Sequence, residues 1–490
     1  MLTKSNFIKF LECSCQLWLV KNMPHLLPPI DAALQRLFDE GNKVDLFAKK
    51  LFPRGVEIAG FNEAGARNTA AAIAKGATVL FQPTFTGNGI TCRCDILVKR
   101  GRSWDLYEVK SSTGQKGTHV MDLAFQRICL EESGIRVGKT FLVHVNNQYV
   151  RRGKVDPFGV LTTVNLTQEV KAALPVARTQ VARAKKTLAL STKAGLDLLK
   201  ACSAPGSCPY LPLYAGTILH EDAYAIAPGL PRARLRELLA RGVIAPKDVP
   251  PDLLESLGGA AAFRRSRAKK PVVSIDREGL AREFAELEYP LHFLDYETFA
   301  SAIPDFDGYR PYQQAVFQYS LHVLRKPVGR LEHKEFLHDA STDPAKPVAA
   351  ALARDIGPVG SVIVWNERFE ASRNEELARL VPSLRAPLRS INERMYDLMQ
   401  VVKRGLYLDS RFEGSASLKK VLPVVVPSLS YGSLNVRNGE MAAAGWPELT
   451  HPRTSAKRKK ALRRDLLAYC RLDTLAMVEI FKKFSEASKA

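Results

Sequence analysis

The sequence predicts an α/β protein with two domains, and three observations support this fold class. Apolar runs typical of strands alternate with runs of helical periodicity in the first part of the chain, and the same alternation begins again near residue 276. Residues 201–275 separate the two parts and contain several prolines and a basic run at 264–270. A chain of 490 residues is long enough for two or three domains. We therefore expect domains at 1–215 and 281–490, joined by a helical and basic connector at 216–280.

The elements of the first half follow from the spacing of apolar residues. A helix is expected over 31–51, where leucine, valine and phenylalanine recur at helical spacing. Period-two or continuous apolar runs predict strands at 78–83, 91–98, 104–110 and 139–145, with a helix at 119–133. An amphipathic helix pattern covers 167–200, and we expect Pro175 to interrupt or restart it.

The second half repeats this order of strands and helices. Apolar strands are expected at Leu291–Leu294 and Ser361–Trp365, followed by helices at 367–380, 415–422 and 461–484. Strands alternating with helices are typical of α/β architecture.

Composition bounds the function classes. Lys and Arg number 71 against 50 Asp and Glu, a net charge of +21 that favours a polyanionic partner such as nucleic acid. The absence of any apolar run of membrane-spanning length argues against a membrane protein, and the opening residues do not resemble a secretion signal. Eight cysteines in a chain of this length do not make a disulfide scaffold. We expect a cytoplasmic protein.

The first group of candidate residues lies on a predicted hairpin. Asp95 lies on one arm and Glu108 and Lys110 on the other; because strand side chains alternate, Glu108 and Lys110 share a face that Asp95 can reach. Two carboxylates beside an ammonium suit a Mg²⁺ ion, since hard oxygen ligands hold the ion and both cations can stabilise a phosphate under attack.

This Asp…Glu-x-Lys order resembles the PD-(D/E)xK nuclease superfamily, in particular its RecB-like branch. The resemblance implies a restriction-endonuclease-like fold, metal ligands at Asp95 and Glu108, and catalytic roles for Lys110 and for Gln126 on the next helix. Upstream, Asp45 stands where relatives often place a further ligand, and Glu40 is its rival.

Several cysteines resemble the ligands of the iron–sulphur variant of RecB-like nucleases. Cys13, five residues before Trp18, matches the first ligand, and Cys202 and Cys208 match two later ones; Tyr214 stands where the last cysteine is expected. A [4Fe–4S] cluster needs four ligands, so either Cys15 serves as the fourth or the cluster is lost and its scaffold retained. Cys92 and Cys94 are expected in the core, and Cys129 and Cys470 in helix packing.

The second group of candidate residues comes from three elements of the second half. Asp295 and Glu297 share one face at the end of an apolar strand, Glu370 opens a helix after another strand, and Tyr469 and Asp473 lie four residues apart on a predicted helix. Four converging carboxylates repel one another unless divalent ions neutralise them. Two such ions, Mg²⁺ or Mn²⁺, suit in-line phosphoryl displacement.

This order resembles the DEDD exonucleases of the ribonuclease H-like fold, and Tyr469-x-x-x-Asp473 marks the DEDDy subtype. The resemblance implies 3′-end trimming, with Asp295, Glu297, Glu370 and Asp473 as ligands and Tyr469 positioning or activating water; Glu370 stands where Asp is usual. Asp397 is expected to support structure. Ser417 with Lys419 or Lys420 is expected to contact phosphate at a helix start. The basic run Lys457–Lys460 is either a solvated face or a substrate contact.

Together, the two halves resemble an uncharacterised bacterial family that fuses a RecB-like nuclease domain to a DEDDy-type exonuclease domain. The expectation is a metal-dependent nuclease acting on single strands or ends of DNA or RNA. The alternatives are a catalytically inactive nucleic-acid-binding scaffold in repair or defence, and an iron–sulphur redox sensor.

Overall fold

The described part of the chain is mixed α/β, as the sequence predicts. The computed structural model describes residues 1–27, 30, 32–192, 241, 273–412 and 414–489. These residues group into two compact units. The first comprises the described residues up to 192 together with Ser301–Tyr312, and the second comprises 273–300 and the described residues from Gln313 onward. Most of the predicted connector, including the basic run at 264–270, lies outside the described residues.

The first unit contains two sheets. Its strands are β1 (Leu2–Thr3), β2 (Val56–Glu57), β3 (Val79–Phe81), β4 (Thr84–Gly87), β5 (Ile90–Arg93), β6 (Ile96–Arg100), β7 (Ser103–Lys110), β8 (Val137–Val145) and β9 (Leu161–Asn165). Six strands form one sheet in the order β2-β3-β6-β7-β8-β9, in which β7 and β8 are parallel. The other sheet has the order β1-β5-β4.

Helices flank these sheets. They are α1 (Lys4–Glu12), α2 (Ser14–Asn22), α3 (Ala32–Lys49), α4 (Asn62–Ala74), α5 (Gly117–Glu132), α6 (Pro157–Val160) and α7 (Thr167–Leu188). α5 is buried along most of its length and joins the main core, in which Phe7 stacks on Phe125 with ring centroids 4.8 Å apart. This packing holds the N-terminal helix beside the strands that bear the first candidate residues.

Two sequence predictions in this unit are wrong in detail. The strand expected at 91–98 is divided into β5 and β6, because the chain changes partners at Cys94–Asp95: Cys94 N donates to Pro83 O (2.9 Å) and Gln82 N donates to Asp95 O (2.9 Å). Asp95 therefore lies where the chain leaves one sheet for the other. The expected interruption at Pro175 does not occur, since α7 runs through it. Pro175 is exposed, so water can satisfy the carbonyl that loses its helical partner.

The second unit is built on a five-stranded mixed sheet and a separate pair of strands. The strands of the unit are β10 (Val273–Ile275), β11 (Leu291–Phe299), β12 (Ala315–Leu324), β13 (Leu331–Leu337), β14 (Val362–Val364), β15 (Met395–Asp397) and β16 (Tyr407–Asp409). The main sheet has the order β13-β12-β11-β14-β15; β12 runs antiparallel to β11 and β13, while β11, β14 and β15 are parallel. β10 and β16 form a separate antiparallel pair.

The helices of this unit pack against the main sheet and extend the core. They are α8 (Arg277–Ala285), α9 (Ala345–Ile356), α10 (Glu367–Leu380), α11 (Arg385–Glu393), α12 (Met399–Lys403), α13 (Leu418–Val425), α14 (Gly439–Thr450) and α15 (Ala456–Ala487). Phe293 of β11 packs edge-on against Phe481 of α15, with centroids 5.7 Å apart. The central strand and the long last helix are thus in contact, which brings their acidic residues to the same region.

Candidate functional sites

The first candidate site joins β7 to α5. Glu108 and Lys110 lie two apart on β7 and share a face, and Asp122 and Gln126 lie four apart on α5. Lys110 Nζ donates to Glu108 Oε1 (2.5 Å) and to Asp122 Oδ2 (2.7 Å), while Gln126 Nε2 donates to Glu108 Oε2 (2.6 Å) and to Asp122 Oδ1 (2.9 Å). The four side chains form one network. Asp122 was not among the residues predicted from the sequence, although its i,i+4 spacing to Gln126 is a signal for a shared role.

Lys4 is a member of this network that sequence reasoning missed. Its Nζ lies 3.0 Å from Glu108 Oε1 and 3.1 Å from Glu108 Oε2, and its side chain is 20% exposed. Nothing local in the sequence indicates this contact, because the two residues are 104 positions apart. Packing of α1 against α5 decides it.

Asp95 and Asp45 lie close to the network and to each other. Asp95 Oδ2 accepts a bond from Val109 N (2.7 Å), and Gln82 Nε2 donates to Asp95 Oδ1 and Asp45 Oδ1, both at 3.3 Å. Lys49 also pairs with Asp45, at 2.9 Å. The structure thus brings together Asp45, Asp95, Glu108, Lys110 and Gln126.

The rival residue Glu40 points elsewhere. It accepts bonds from Lys43 Nζ (2.8 Å), Ser301 Oγ (2.9 Å) and Ala302 N (2.6 Å), all within the first unit. Those bonds tie Glu40 to the segment Ser301–Tyr312, so Asp45 is the acid of this pair that approaches Asp95.

The carboxyl groups of the first site differ sharply in proton affinity. Burial and the neighbouring Glu108 raise the pKa of Asp95 to about 7. Burial alone would also raise the pKa of Glu108, but Lys110 and Lys4 outweigh it and hold that pKa well below its usual value. In Lys4, burial is likewise outweighed, by Glu108 and Asp95, so its pKa is raised and it stays cationic. One carboxyl that holds a proton near neutrality beside one that is always ionised is the pattern expected of acid–base sites.

The cysteines proposed as cluster ligands are only partly described. Cys13 is half-buried at the junction of α1 and α2, and Cys15 is buried within α2. Cys202 and Cys208, like Tyr214, lie outside the described residues, so the iron–sulphur cluster stays a prediction. Cys92 and Cys94 are buried in the core, as predicted, with their sulphur atoms 3.8 Å apart.

The second candidate site is centred on β11. Asp295 and Glu297 project from the same face of this strand, and with Cys470 of α15 they form a group whose potential ligand atoms all lie within 4.8 Å of one another. Cys470 Sγ is 3.7 Å from Asp295 Oδ2. The sequence predicted a helix-packing role for Cys470, and this residue is indeed buried. Its thiol also lies next to the carboxylates, because Cys470 follows Tyr469 on the same turn of α15.

Two tyrosines bind the third carboxylate of this site. Tyr431 OH donates to Asp473 Oδ1, and Tyr469 also forms a side-chain hydrogen bond with Asp473. Burial and the charge of Asp473 raise the pKa of both tyrosines well above the usual value, so both stay protonated. Tyr431 was missed by sequence reasoning because it lies on a short turn with no periodic signal.

Glu370 completes the group at the first turn of α10. Its side chain is 3% exposed, and its Oε2 atom is buried without a hydrogen-bond partner in the described part of the chain. The charge of Glu370 helps to raise the pKa of Asp295. Asp397 lies near Glu370 and accepts bonds from Met399 N (3.1 Å) and Gln400 Nε2 (2.9 Å) in the first turn of α12, which agrees with the structural role expected of it.

Within the described ranges, none of Asp295, Glu297, Glu370 and Asp473 makes an ion pair. Burial and mutual repulsion raise the pKa of Asp295 and Glu297 well above normal values, and burial raises that of Glu370 to about 8 and that of Asp473 to about 6. Lys419 Nζ lies 5.8 Å from the ring centroids of both Tyr431 and Tyr469, and its charge lowers the pKa of Glu297 and Asp473. The charge of Arg373 likewise lowers the pKa of Glu370.

The other residues expected to contact phosphate lie at the surface. Ser417 is the N-cap residue of α13, and Ser417, Lys419 and Lys420 are exposed. In the basic run Lys457–Lys460, at the start of α15, Arg458 forms an ion pair with Glu448 at 2.8 Å. Part of that run's charge is therefore neutralised within the protein.

No helix in the described ranges combines the length and the apolar character that crossing a membrane requires.

Comparison with known proteins gives related sequences but no activity. A family model described as a domain of unknown function (DUF2779) matches residues 292–417, which include Asp295, Glu297 and Glu370 but not Tyr469 or Asp473. The chain is 29% identical over 213 residues to the uncharacterized protein MG366 homolog of Mycoplasma pneumoniae, an alignment covering 38% of this chain and 31% of that protein. It is 27% identical over 228 residues to the uncharacterized protein UU173 of Ureaplasma parvum, covering 42% and 33% respectively. The aligned part is thus about a third of the length of these relatives.

Proposed function

We propose that this chain is a divalent-metal-dependent nuclease that hydrolyses phosphodiester bonds of DNA or RNA. One observation supports it above the others: carboxylates from three separate elements, β11, α10 and α15, converge in the second unit, and none of them makes a direct ion pair within the described residues. Burying an uncompensated charge is costly, and proteins accept that cost mainly where an ion or a reaction requires it.

The donor set fits Mg²⁺ or Mn²⁺. Asp295, Glu297, Glu370 and Asp473 would hold the ions, and the unpartnered Oε2 of Glu370 is an oxygen ready for a ligand role. When bound, such ions neutralise the charge that develops on a phosphate and lower the pKa of water. The central position of β11 in a mixed sheet supports a ribonuclease H-like fold for this unit, and hence the proposal that it trims strands from a 3′ end.

Tyr469 serves this site as a hydrogen-bond donor. In the metal-free site burial and the charge of Asp473 raise its pKa and keep it protonated, so it donates to Asp473 and would orient an attacking water. Tyr431 holds the other side of Asp473 and has the same protonation state. Lys419, exposed beside the two rings, would contact the phosphate backbone.

The first unit would provide a second nuclease site of the RecB-like type. Asp95, Glu108 and Asp45 would hold an ion there, Lys110 would stabilise charge on the phosphate, and Gln126 fixes Glu108 in place through its 2.6 Å bond. In the metal-free site Glu108 stays ionised, whereas Asp95, with a pKa of about 7, must release its proton before it can hold an ion.

Degradation of labelled strands tests this proposal. Strands of DNA and RNA labelled at the 5′ end are incubated with the full chain in Mg²⁺, Mn²⁺ or EDTA. We expect metal-dependent cleavage, with a ladder of single-nucleotide steps from the 3′ end that Asp295→Asn abolishes. Any cleavage that remains in the Asp295→Asn variant should disappear when Glu108→Gln is added to it.

Two exposed glutamates provide matched controls. Glu440→Gln in the second unit and Glu63→Gln, whose side chain is 80% exposed, in the first should cleave like the wild type. Cleavage that persists in the Asp295→Asn, Glu108→Gln double variant would mean a contaminating enzyme and refute the proposal. Wild-type binding of strands without turnover would instead favour the non-catalytic scaffold.

A further inference from the structure

A cavity of ≈ 380 Å³ opens beside the first carboxylate site. Residues from α1, the start of α4, β5 and the chain around Gln82 line it, among them Lys4, Phe61, Asn62, Gln82, Arg93 and Asp95. Lys4 and Asp95 also belong to the carboxylate network, so a molecule in this cavity lies directly against that network. The proposed nuclease function assigns nothing to the remainder of the cavity.

An aromatic ring and an uncompensated cation face each other at its mouth. Phe61 is 67% exposed, which is unusual for so large an apolar side chain, and the Arg93 guanidinium lies over its ring at 4.4 Å from the centroid. Arg93 Nε donates to Gln82 O (3.3 Å), and no carboxylate of the described chain lies within ion-pair distance of this guanidinium. A planar cation paired with an aromatic ring is a suitable surface for stacking a nucleobase, and its in-plane N–H groups suit a phosphate.

The backbone of the cavity wall is held in an unusual conformation. Asn62 and Gln82 both have positive φ, at 50° and 54°. They are two of the five non-glycine residues with positive φ in the described part of the chain, and both line this one cavity. Residues other than glycine rarely adopt this conformation, and where they do they cluster at binding and catalytic sites.

The size of the cavity limits its occupant. A volume of ≈ 380 Å³ is at the lower end of the range of ligand pockets, about 300–1,000 Å³, and suits one nucleotide. A base within a duplex would have to leave its stack to enter, whereas an unpaired base in a single strand is already accessible. Arg93, which has no ion-pair partner in the described chain, favours a phosphate beside it. The Lys4 ammonium, paired with Glu108 at 3.0 and 3.1 Å, has a third N–H that can reach the same phosphate.

We propose that this cavity binds one unpaired nucleotide of a single-stranded nucleic acid, with its base against the Phe61–Arg93 pair and its phosphate between Arg93 and Lys4. The inference rests on the proposed function of the first site, for which it names the substrate class. The adjoining phosphodiester of the same strand then lies beside Asp95, which also lines the cavity. Strands are therefore cut only where a base is unpaired.

Fluorescence anisotropy on the full chain tests this inference separately from cleavage. The probes are 5′-fluorescein-labelled twelve-nucleotide oligothymidylate and oligouridylate and a blunt duplex of the same length, measured in EDTA and in Ca²⁺. We expect Phe61→Ala to weaken single-strand binding by about five- to a hundredfold, the range for losing one stacked base, and Phe61→Tyr to restore it. Arg93→Gln should weaken binding about tenfold and reduce the salt dependence by roughly one phosphate contact.

The first unit offers a matched control for each change. Phe158 is 71% exposed and lies away from the cavity, and Arg67 is exposed on α4. Phe158→Ala and Arg67→Gln should bind within twofold of the wild type.

Two results would overturn the inference. Phe61→Ala and Arg93→Gln could bind strands as the wild type does, or the duplex could bind as tightly as the single strands. If metal-dependent cleavage nevertheless persists, only this inference fails. If the wild type shows no metal-dependent cleavage, the proposed function is refuted instead.

Discussion

Replacing Glu370 by glutamine tests whether the buried carboxyl groups of the second unit lower the stability of the metal-free protein. Glutamine has nearly the same shape but carries no charge at any pH. The side chain is 3% exposed, and one of its oxygens has no hydrogen-bond partner in the described residues. The change therefore removes the ionisation of the group with little change in packing.

The magnitude follows from the pKa of this carboxyl. Burial, with a smaller contribution from Asp397, raises it from 4.5 to about 8. A raised pKa means that the folded protein binds the proton more tightly than the unfolded chain, so the group favours folding less and less as pH rises from 4.5 towards 8. At pH 7 the unfolded carboxyl is ionised while the folded one is still protonated, which lowers the free energy of unfolding by about 3 kcal/mol.

Glu370→Gln is thus expected to stabilise the metal-free protein. At pH 7 the gain is ~3 kcal/mol, or roughly 6 to 12 °C in Tm for a unit of this size, and at pH 5 it falls below about 1 kcal/mol. The assay is thermal unfolding of the full chain at pH 5, 7 and 8.5, in EDTA and in Mn²⁺. Mn²⁺ should raise the Tm of the wild type and have a smaller effect on the variant, which has lost an anionic ligand.

Glu367→Gln is the matched control, since Glu367 lies on the same turn of α10 but is exposed. It should leave the Tm unchanged at every pH. The reasoning is refuted if Glu370→Gln destabilises the metal-free protein at pH 7, or if its effect is the same at pH 5 and 8.5. The metal assignment of Glu370 is refuted if Mn²⁺ stabilises the variant and the wild type equally.

Three further predictions concern the two sites. The Mn²⁺ affinity of the second unit, measured by titration calorimetry, should rise between pH 6 and 8.5 with release of protons. The reason is that Asp473, with a pKa of about 6, and Glu370, with a pKa of about 8, must ionise to bind the ion. An affinity that does not depend on pH would contradict this. Lys4→Met should destabilise the metal-free protein by about 2 kcal/mol, because Glu108 loses one of its two cations; an unchanged Tm would show that Lys110 alone suffices. Tyr431→Phe removes a hydrogen bond that lowers the pKa of Asp473, so the acidic limb of the cleavage-rate profile should move to higher pH; a fall in rate with no such movement would indicate a purely structural role.

Much of the element order could be predicted from the sequence. The helix α3, the strand β7 and the helix α10 occur where periodicity places them, because apolar spacing reports which face an element buries. The strands β12 and β13 were missed. β12 is buried along its whole length, so its sequence does not alternate between apolar and polar residues. β13 lies at the sheet edge, is mostly half-buried and has a largely polar sequence.

The sequence by itself determined which functional residues share a face. Glu108 with Lys110, Asp295 with Glu297, and Tyr469 with Asp473 are neighbours in any strand or helix, because backbone geometry fixes those spacings. Only the tertiary structure decided which elements meet: it brought Lys4 to Glu108 and Tyr431 to Asp473, and it turned Asp45 rather than Glu40 towards Asp95. Those contacts join residues far apart in the chain and depend on how helices pack on sheets, which local periodicity does not encode.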